Sequence, residues 1–415
     1  AEAIWAQDCN LVLGECTFKQ NGYGDTGYDD DGYGTVYGTG GSIDVRHCVF
    51  TSNRSLYGAL TIEYMDTAGL QDCQFNDNYA RYYGGAVYVE EVDDAVIQNC
   101  EFDRNFCYGA GGAFYIYKSN TSFTDSHFNE NFTQNSRGGA VYLSQSRSDF
   151  TSCRFEENSS RLDGGAIHAS WGSTTIATDC TFAENSTTNG DGGAVSISGN
   201  DEVVFRECIF DLNSAGDIGG SIYLDDCPSV IIEESAVTQS TSTKLGGGIH
   251  SSDTDLVLTS TIVCGNFPDQ IYGVFDGSGS CLSSTCIDQD MSGVPDPCEG
   301  AITGTISVPG DYPTIHEAVD WAADGSTIEL AAGVYQIDRS VSLNGKELIV
   351  RGAVDVNGDP ATTLDGQNAT TLIVCASGEA AGTRFENLII TNGIGTDGAG
   401  MTCIGSSPTL KNCRF

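Results

Sequence analysis

Positive charge is scarce in this sequence, and so is proline: 18 Lys and Arg face 57 Asp and Glu, for a net charge of −39, and 8 prolines stand against 52 glycines in 415 residues. The first scarcity excludes partners held by attraction to phosphate, nucleic acid and acidic membrane faces among them. Divalent cations suit such a chain better. No apolar run is long enough to span a bilayer, and the amino end, "AEAIWAQDCN", has neither a basic region nor an initiating Met, so it is not read as a secretion signal. The repeats described next lack apolar residues at helical spacing, which disfavours helical solenoids. Histidine is rare too, and His47, His127, His168, His250 and His316 share no metal-ligand spacing.

What is abundant is one phrase. The stretch "DGGAIHASWGSTTIATDCTFAENSTTNGDGGAVSIS", Asp163 to Ser198, reads Gly-Gly-Ala-aliphatic, then Cys-x-Phe-x-x-Asn, then Gly-Gly-Ala again. Aligned on its aromatic, the phrase recurs at Phe18, Phe50, Phe75, Phe102, Phe128, Phe155, Phe182 and Phe210, with Val237 and Val263 as degenerate copies. From Phe50 the steps run 25, 27, 26, 27, 27, 28, 27 and 26 residues. So regular a period predicts a solenoid, and the short alternating apolar runs within it predict strands. Strands that return in one direction every ~27 residues pair in parallel, about 4.8 Å apart, so the expected fold is all-β, a parallel β-helix of three short sheets. Each inward position then meets its own equivalent in the next coil. Cys16, Cys48, Cys73, Cys100, Cys153, Cys180 and Cys208 form one predicted ladder, with Ser126 and Ser235 substituting. Asn21, Asn53, Asn78, Asn105, Asn131, Asn158, Asn185 and Asn213 form another, their amides hydrogen-bonding along the axis. Gly164-Gly165 and Gly192-Gly193 are expected to supply φ > 0 or close approach between coils.

These residues, "GGAI", "GGAV" and "GGAF" alternating with "FEEN", "FAEN" and "FDRN", resemble the repeats of polymorphic outer-membrane proteins over roughly residues 3 to 265. More broadly the chain is similar to secreted bacterial right-handed β-helix proteins, a resemblance that implies surface-exposed adhesins and structural proteins. From Thr305 the texture changes. "ISVPGDYPTIHEAVDWAADGSTIELAAGVYQI" holds a helix signal near 313–323, with Ile315, Ala318, Val319 and Ala322 on one face, and it resembles the amino-terminal cap of the pectin-lyase-like superfamily. The predicted organisation is later coils of one β-helix over 1–280, a Cys- and Asp-rich joint over 281–303, and the cap and first coils of a second β-helix over 304–415. Phe415 falls inside the Cys-x-Phe phrase, which suggests a window on a longer tandem array or filament.

The strongest chemical motif is "DQDMSGVPDPCE", Asp288 to Glu299. Side-chain oxygens of Asp288, Asp290, Ser292, Asp296 and Glu299, the Val294 carbonyl and a glycine at Gly293 follow the spacing of a Ca²⁺ loop. The segment resembles thrombospondin type 3 calcium repeats, although Ser292 stands where those carry Asp or Asn. Cys264, Cys281, Cys286 and Cys298 bracket this joint outside the ladder and are candidates for one or two disulfides, with three connectivities open if all four pair. Asn120 and Asn368 are candidate glycosylation sites, whereas the sequons at Asn53, Asn131, Asn158 and Asn185 coincide with the inward ladder.

The sequence thus reads as an extracellular or cell-surface structural or adhesive fibre with Ca²⁺ as its cofactor. Its expected partners are further copies end to end or in tandem, and surface carbohydrate, with no nucleic acid. No catalytic residue is assigned. A polysaccharide-active enzyme is the first alternative, because pectin lyases share the fold; its candidates are the carboxylate pairs Asp93-Asp94 and Asp225-Asp226 with Arg104 or Arg206. A carbohydrate-binding module using Tyr23, Tyr28, Tyr33, Tyr79, Tyr82 and Tyr83 is the second.

Overall fold

The computed structural model describes residues 2–22, 33–199, 202–277, 280–283, 286, 304–395 and 398–415. From Ile4 to Ser283 the chain winds as a β-solenoid in which equivalent strands of successive repeats lie side by side in parallel. Its sheets have 20, 11 and 8 strands. The largest is two rows of strands rather than one, joined where the long strands Ile4–Gly14 and Val36–Arg46 run through both. Each coil thus has one more row of strands than three simple sheets require.

Register follows the phrase. Phe102 pairs with Phe75 on one side and Phe128 on the other, and the rings from Phe18 to Phe210 stack with centroids 4.6 to 5.2 Å apart. The amide ladder is complete from Asn21 to Asn213. Asn131 shows its logic: Oδ1 accepts from Asn105 N and Nδ2, both at 3.0 Å, while Nδ2 donates to Asn158 Oδ1 at 3.0 Å and Phe102 O at 2.8 Å. A buried amide that meets all its partners costs nothing in desolvation and fixes the axial register. The chain of bonds continues through Ser240 to Asn266. A further ladder, not visible in the Cys-x-Phe phrase, runs from Val92 N to Ser119 Oγ, then to Ser146 and Ser173.

The two glycines of each pair divide the work. Gly164 takes φ +70°, while a Cβ on Gly165 would lie 2.0 Å from the carbonyl oxygen of Gly193 in the next coil. At many other corners φ > 0 falls on polar residues, such as Glu130 (φ 51°) before Asn131 and Asp125 (φ 49°) before Ser126. The ladder side chain that follows satisfies the corner, so glycine is dispensable there.

The second unit begins at strand Thr305–Val308 and has three small parallel sheets of 5, 3 and 3 strands. Helix α1, Ile315–Trp321, starts at Thr314 with a capping box to Glu317 and buries Ile315, Ala318 and Val319. It has no basic residue in its last turn. Lys346 compensates from a later coil, its buried ammonium donating to Val319 O and Asp320 O at 2.9 Å each. The core here mixes Ile, Leu, Val and Ala with Phe385 and Cys375, and among the described residues no amide ladder runs through it. No helix among the described residues is long and apolar enough to cross a membrane.

Candidate functional site

Strand alternation turns every second residue of the long sheet outward. In one row those residues are Tyr88, Tyr115, Tyr142, His168, Ser196, Tyr223, His250 and Tyr272, each opposite the next. Tyr88 to Tyr115 and Tyr115 to Tyr142 stack at 5.4 and 5.0 Å with planes 7° and 3° apart, and His168 continues the stack at 5.3 Å. Ring faces are thereby covered by neighbouring rings, and the Tyr88 hydroxyl donates to Glu90 Oε2 at 2.5 Å. Burial pushes the His168 imidazole down to about 3, with Arg137 adding to the effect, and that of His250 to about 4. Both are neutral at pH 7.

Beside His168 and Tyr223 runs a carboxylate row from the residues one or two places before the glycine pairs, Asp163, Asp191 and Asp217. Arg137 Nε donates to Asp163 Oδ2 at 2.5 Å, and Lys244 Nζ lies 2.6 Å from Asp217 Oδ1. Asp191 stands between them and accepts from Ile218 N at 3.3 Å. Burial raises its carboxyl to about 6, with the like charges of Asp163 and Asp217 adding to the shift. The sequence hid this row, because aspartate before glycine reads as turn chemistry.

Where the solenoid ends it meets the second unit. Tyr272 packs with Val374 and Ala376, and a Cβ on Gly405 would lie 2.4 Å from Val274 Cγ2. Beside that contact is a cavity of about 980 Å³, lined by Lys244, His250, Ser251 and Tyr272 on one side and Thr370 and Ile394 on the other. A smaller one, about 20 Å³, lies between buried Asp269 and His316. The His316 ring nitrogen Nε2 is 3.2 Å from the carbonyl oxygens of Arg339 and Ser340.

Asp288, Asp290, Ser292, Val294, Asp296, Glu299 and Cys298 lie outside the described residues. Among the described residues no group of three or more His, Cys, Asp and Glu is arranged to hold a metal ion. Cys264 and Cys286 form a disulfide, Cα to Cα 5.3 Å, and Cys281 is disulfide-bonded as well. Asn120 is exposed and donates to Asp93 O at 3.1 Å; Asn368 is exposed with φ 58°. The enzyme candidates do not assemble: Arg104 is taken by Asp77 and Asp103, and Arg206 by Glu233, each one coil or less away. Tyr83 joins the outward row against Tyr115 at 4.4 Å, and Tyr33 stacks on Tyr57, whereas Tyr79 turns to another row against Phe106. Tyr23 and Tyr28 lie outside the described residues.

A family model described as "Right handed beta helix region" matches residues 1–134 and 85–263. The chain belongs to the right-handed β-helix family. No curated protein matches this β-helix. Two similar solved structures are the PL6 family alginate lyase AlyGC, 11% identical over 100% of this chain and 76% of the other with a TM-score of 0.24, and a point mutant of it, 10% identical over 97% and 73% with a TM-score of 0.20. Scores this low carry no argument about activity.

Proposed function

We propose that this β-helix is an extracellular structural or adhesive rod of the cell surface, whose product is rigid length. The observation that carries the reading is the unbroken amide chain from Asn21 to Asn213, which couples each coil to the next beside a continuous Phe stack. The Cys264–Cys286 disulfide supports an oxidising compartment. Asp288 to Glu299 is proposed as a Ca²⁺ loop on its spacing alone, and the likeness to outer-membrane-protein and thrombospondin repeats likewise rests on motifs. Further copies, end to end or in tandem, and surface carbohydrate are the proposed partners. Negative-stain microscopy and small-angle scattering, with Ca²⁺ and with chelator, test the reading. A straight particle that lengthens by about 4.8 Å per coil and holds a fixed shape in Ca²⁺ supports it. A particle that flexes along the coils sinks the rod, and indifference to chelator sinks the calcium joint.

A second reading, a polysaccharide-active enzyme, is favoured by one observation: Asp191, its carboxyl raised to about 6, donates its backbone N–H to Asp163 Oδ1 at 3.2 Å, and Asp163 in turn acts on neutral His168. Such groups hold and move protons near neutral pH. Release of new chain ends from acidic or neutral polysaccharides, abolished by Asp191→Asn, is the result that establishes it; no release from any of them removes it.

A further inference from the structure

Aromatic rings crowd one surface of the solenoid beyond the outward row that starts at Tyr88. Trp5 lies on Tyr37 at 4.3 Å, Tyr37 is 5.3 Å from Tyr33, Tyr33 is 5.6 Å from Tyr57, and Tyr57 is 5.1 Å from Tyr88. The rings are thus in contact from Trp5 to Tyr142. Tyr83, at the end of strand Tyr79–Tyr83, joins them from the side, 6.1 Å from Tyr57 and 6.3 Å from Tyr88. Its centroid is 4.4 Å from that of Tyr115, the shortest tyrosine-to-tyrosine spacing among the described residues. Tyr83 is 38% exposed and Tyr115 is half-buried. The first is open to a dissolved reagent, and the second is held against it between Tyr88 and Tyr142, whose planes lie within 7° and 3° of its own.

A phenol is oxidised by losing an electron together with its hydroxyl proton, so a base at the hydroxyl favours the reaction. Two phenols of the group have one: Tyr37 donates to Glu63 Oε2 at 2.8 Å and Tyr88 to Glu90 Oε2 at 2.5 Å. Burial, then the Tyr142 and Tyr83 hydroxyls and the Glu90 carboxylate, raise the Tyr115 hydroxyl above its ordinary range, so it meets an oxidant as the protonated phenol. Rings in contact exchange an electron readily, and oxidation of any exposed member therefore reaches Tyr83 and Tyr115. We infer that Tyr83 and Tyr115 are a modification site, at which a haem peroxidase with hydrogen peroxide joins them through the ring carbons beside their hydroxyls. Each phenol loses one electron and its hydroxyl proton, and the two radicals combine in a carbon–carbon bond. The hydrogens displaced from the joined carbons return to the two oxygens. Two hydrogens leave the protein in all, and one peroxide becomes two waters. Tyr64 and Tyr108 are more exposed, at 54% and 49%, but neither has an aromatic ring against it among the described residues. Partners already held together react in one unimolecular step in place of an encounter. The bond ties two successive coils, which suits the rod reading but does not depend on it.

The test uses the full chain, dilute, with a haem peroxidase and hydrogen peroxide, and a parallel reaction of N-acetyltyrosine to show that the oxidant is active. The monomer fraction is read by intact mass, by dityrosine fluorescence and by proteolytic mapping. The expected product is a monomer lighter by two hydrogens, with Tyr83 and Tyr115 in one linked peptide pair, formed about tenfold faster than any other tyrosine link. Tyr83→Phe and Tyr115→Phe each keep the ring, delete the hydroxyl and abolish the product at unchanged melting temperature, whereas Tyr108→Phe leaves it. No tyrosine link in the monomer, a link mapped to another pair, or a product that survives Tyr115→Phe overturns the inference. Should either variant fail to fold, the mapped link in the unaltered chain decides alone.

Discussion

The solenoid from Ile4 to Ser283 and the unit from Thr305 onward both stack parallel strands, yet their interiors differ. The first repeats itself: a Phe lies on a Phe, and an Asn bonds to an Asn. The second fills its core with unlike aliphatics and closes its end with a helix. An identical-residue ladder makes every coil depend on its neighbours in the same way. A heterogeneous core spreads its stability over many small contacts and needs a cap with its own hydrogen-bond partners. Stiffness along the axis is therefore a property of the first region, and an end stop is a property of the second.

The comparison breaks most severely at the amide ladder. Asn131→Leu strands Asn105 N, Asn105 Nδ2 and Phe102 O, and is expected to cost about 4 kcal/mol, read as a fall in the denaturant midpoint of the first unit alone. A loss below about 1 kcal/mol means the ladder is decoration. Gly165→Ala comes next. Its Cβ meets the Gly193 carbonyl oxygen at 2.0 Å, so coils must part, at a cost of about 3 kcal/mol in the same measurement. In the second region, Lys346→Met removes two bonds to the end of helix α1 and is expected to cost about 2 kcal/mol. Two-transition thermal melting should show only the second unit affected.

The smallest effect is in the pH profile. An unfolded histidine titrates near 6.5, while His168 and His250 in the first unit lie near 3 and 4 and His316 in the second near 4. Neutral histidine is the folded form, so its stabilisation is complete above about 6.5 and is lost as pH falls towards 4. Asp191, raised to about 6, acts oppositely: its contribution is present at low pH and is lost as pH rises through 6. Replacing both His168 and His250 by Phe should flatten the acid-side loss in the first unit's transition and leave the second unit's in place. Equal flattening in both means that the two units unfold together.

The stacking positions were legible because in a parallel solenoid each inward residue faces its own repeat, so period alone names neighbours. Cys100 and Ser126 illustrate it: backbone Cys100 N donates to Ser126 Oγ at 3.2 Å, the substitution the spacing anticipated. The serine ladder through Ser119 and Ser146 escaped notice because serine at a turn is too common to register as a repeat. The helix was legible from Thr314 and Glu317, but its closure by Lys346, a later residue in the chain, was not.

The sequence by itself determined the solenoid, its period, and the residues that stack on themselves, because local alternation and a fixed repeat leave one parallel arrangement that buries the Phe and Asn rows. Only the tertiary structure decided the outward row of tyrosines and histidines, the carboxylate row around Asp191, and the cavity between Lys244 and Ile394. Those depend on which edges are covered and which charges are left beside one another, and burial, unlike period, is set by residues far apart in the chain.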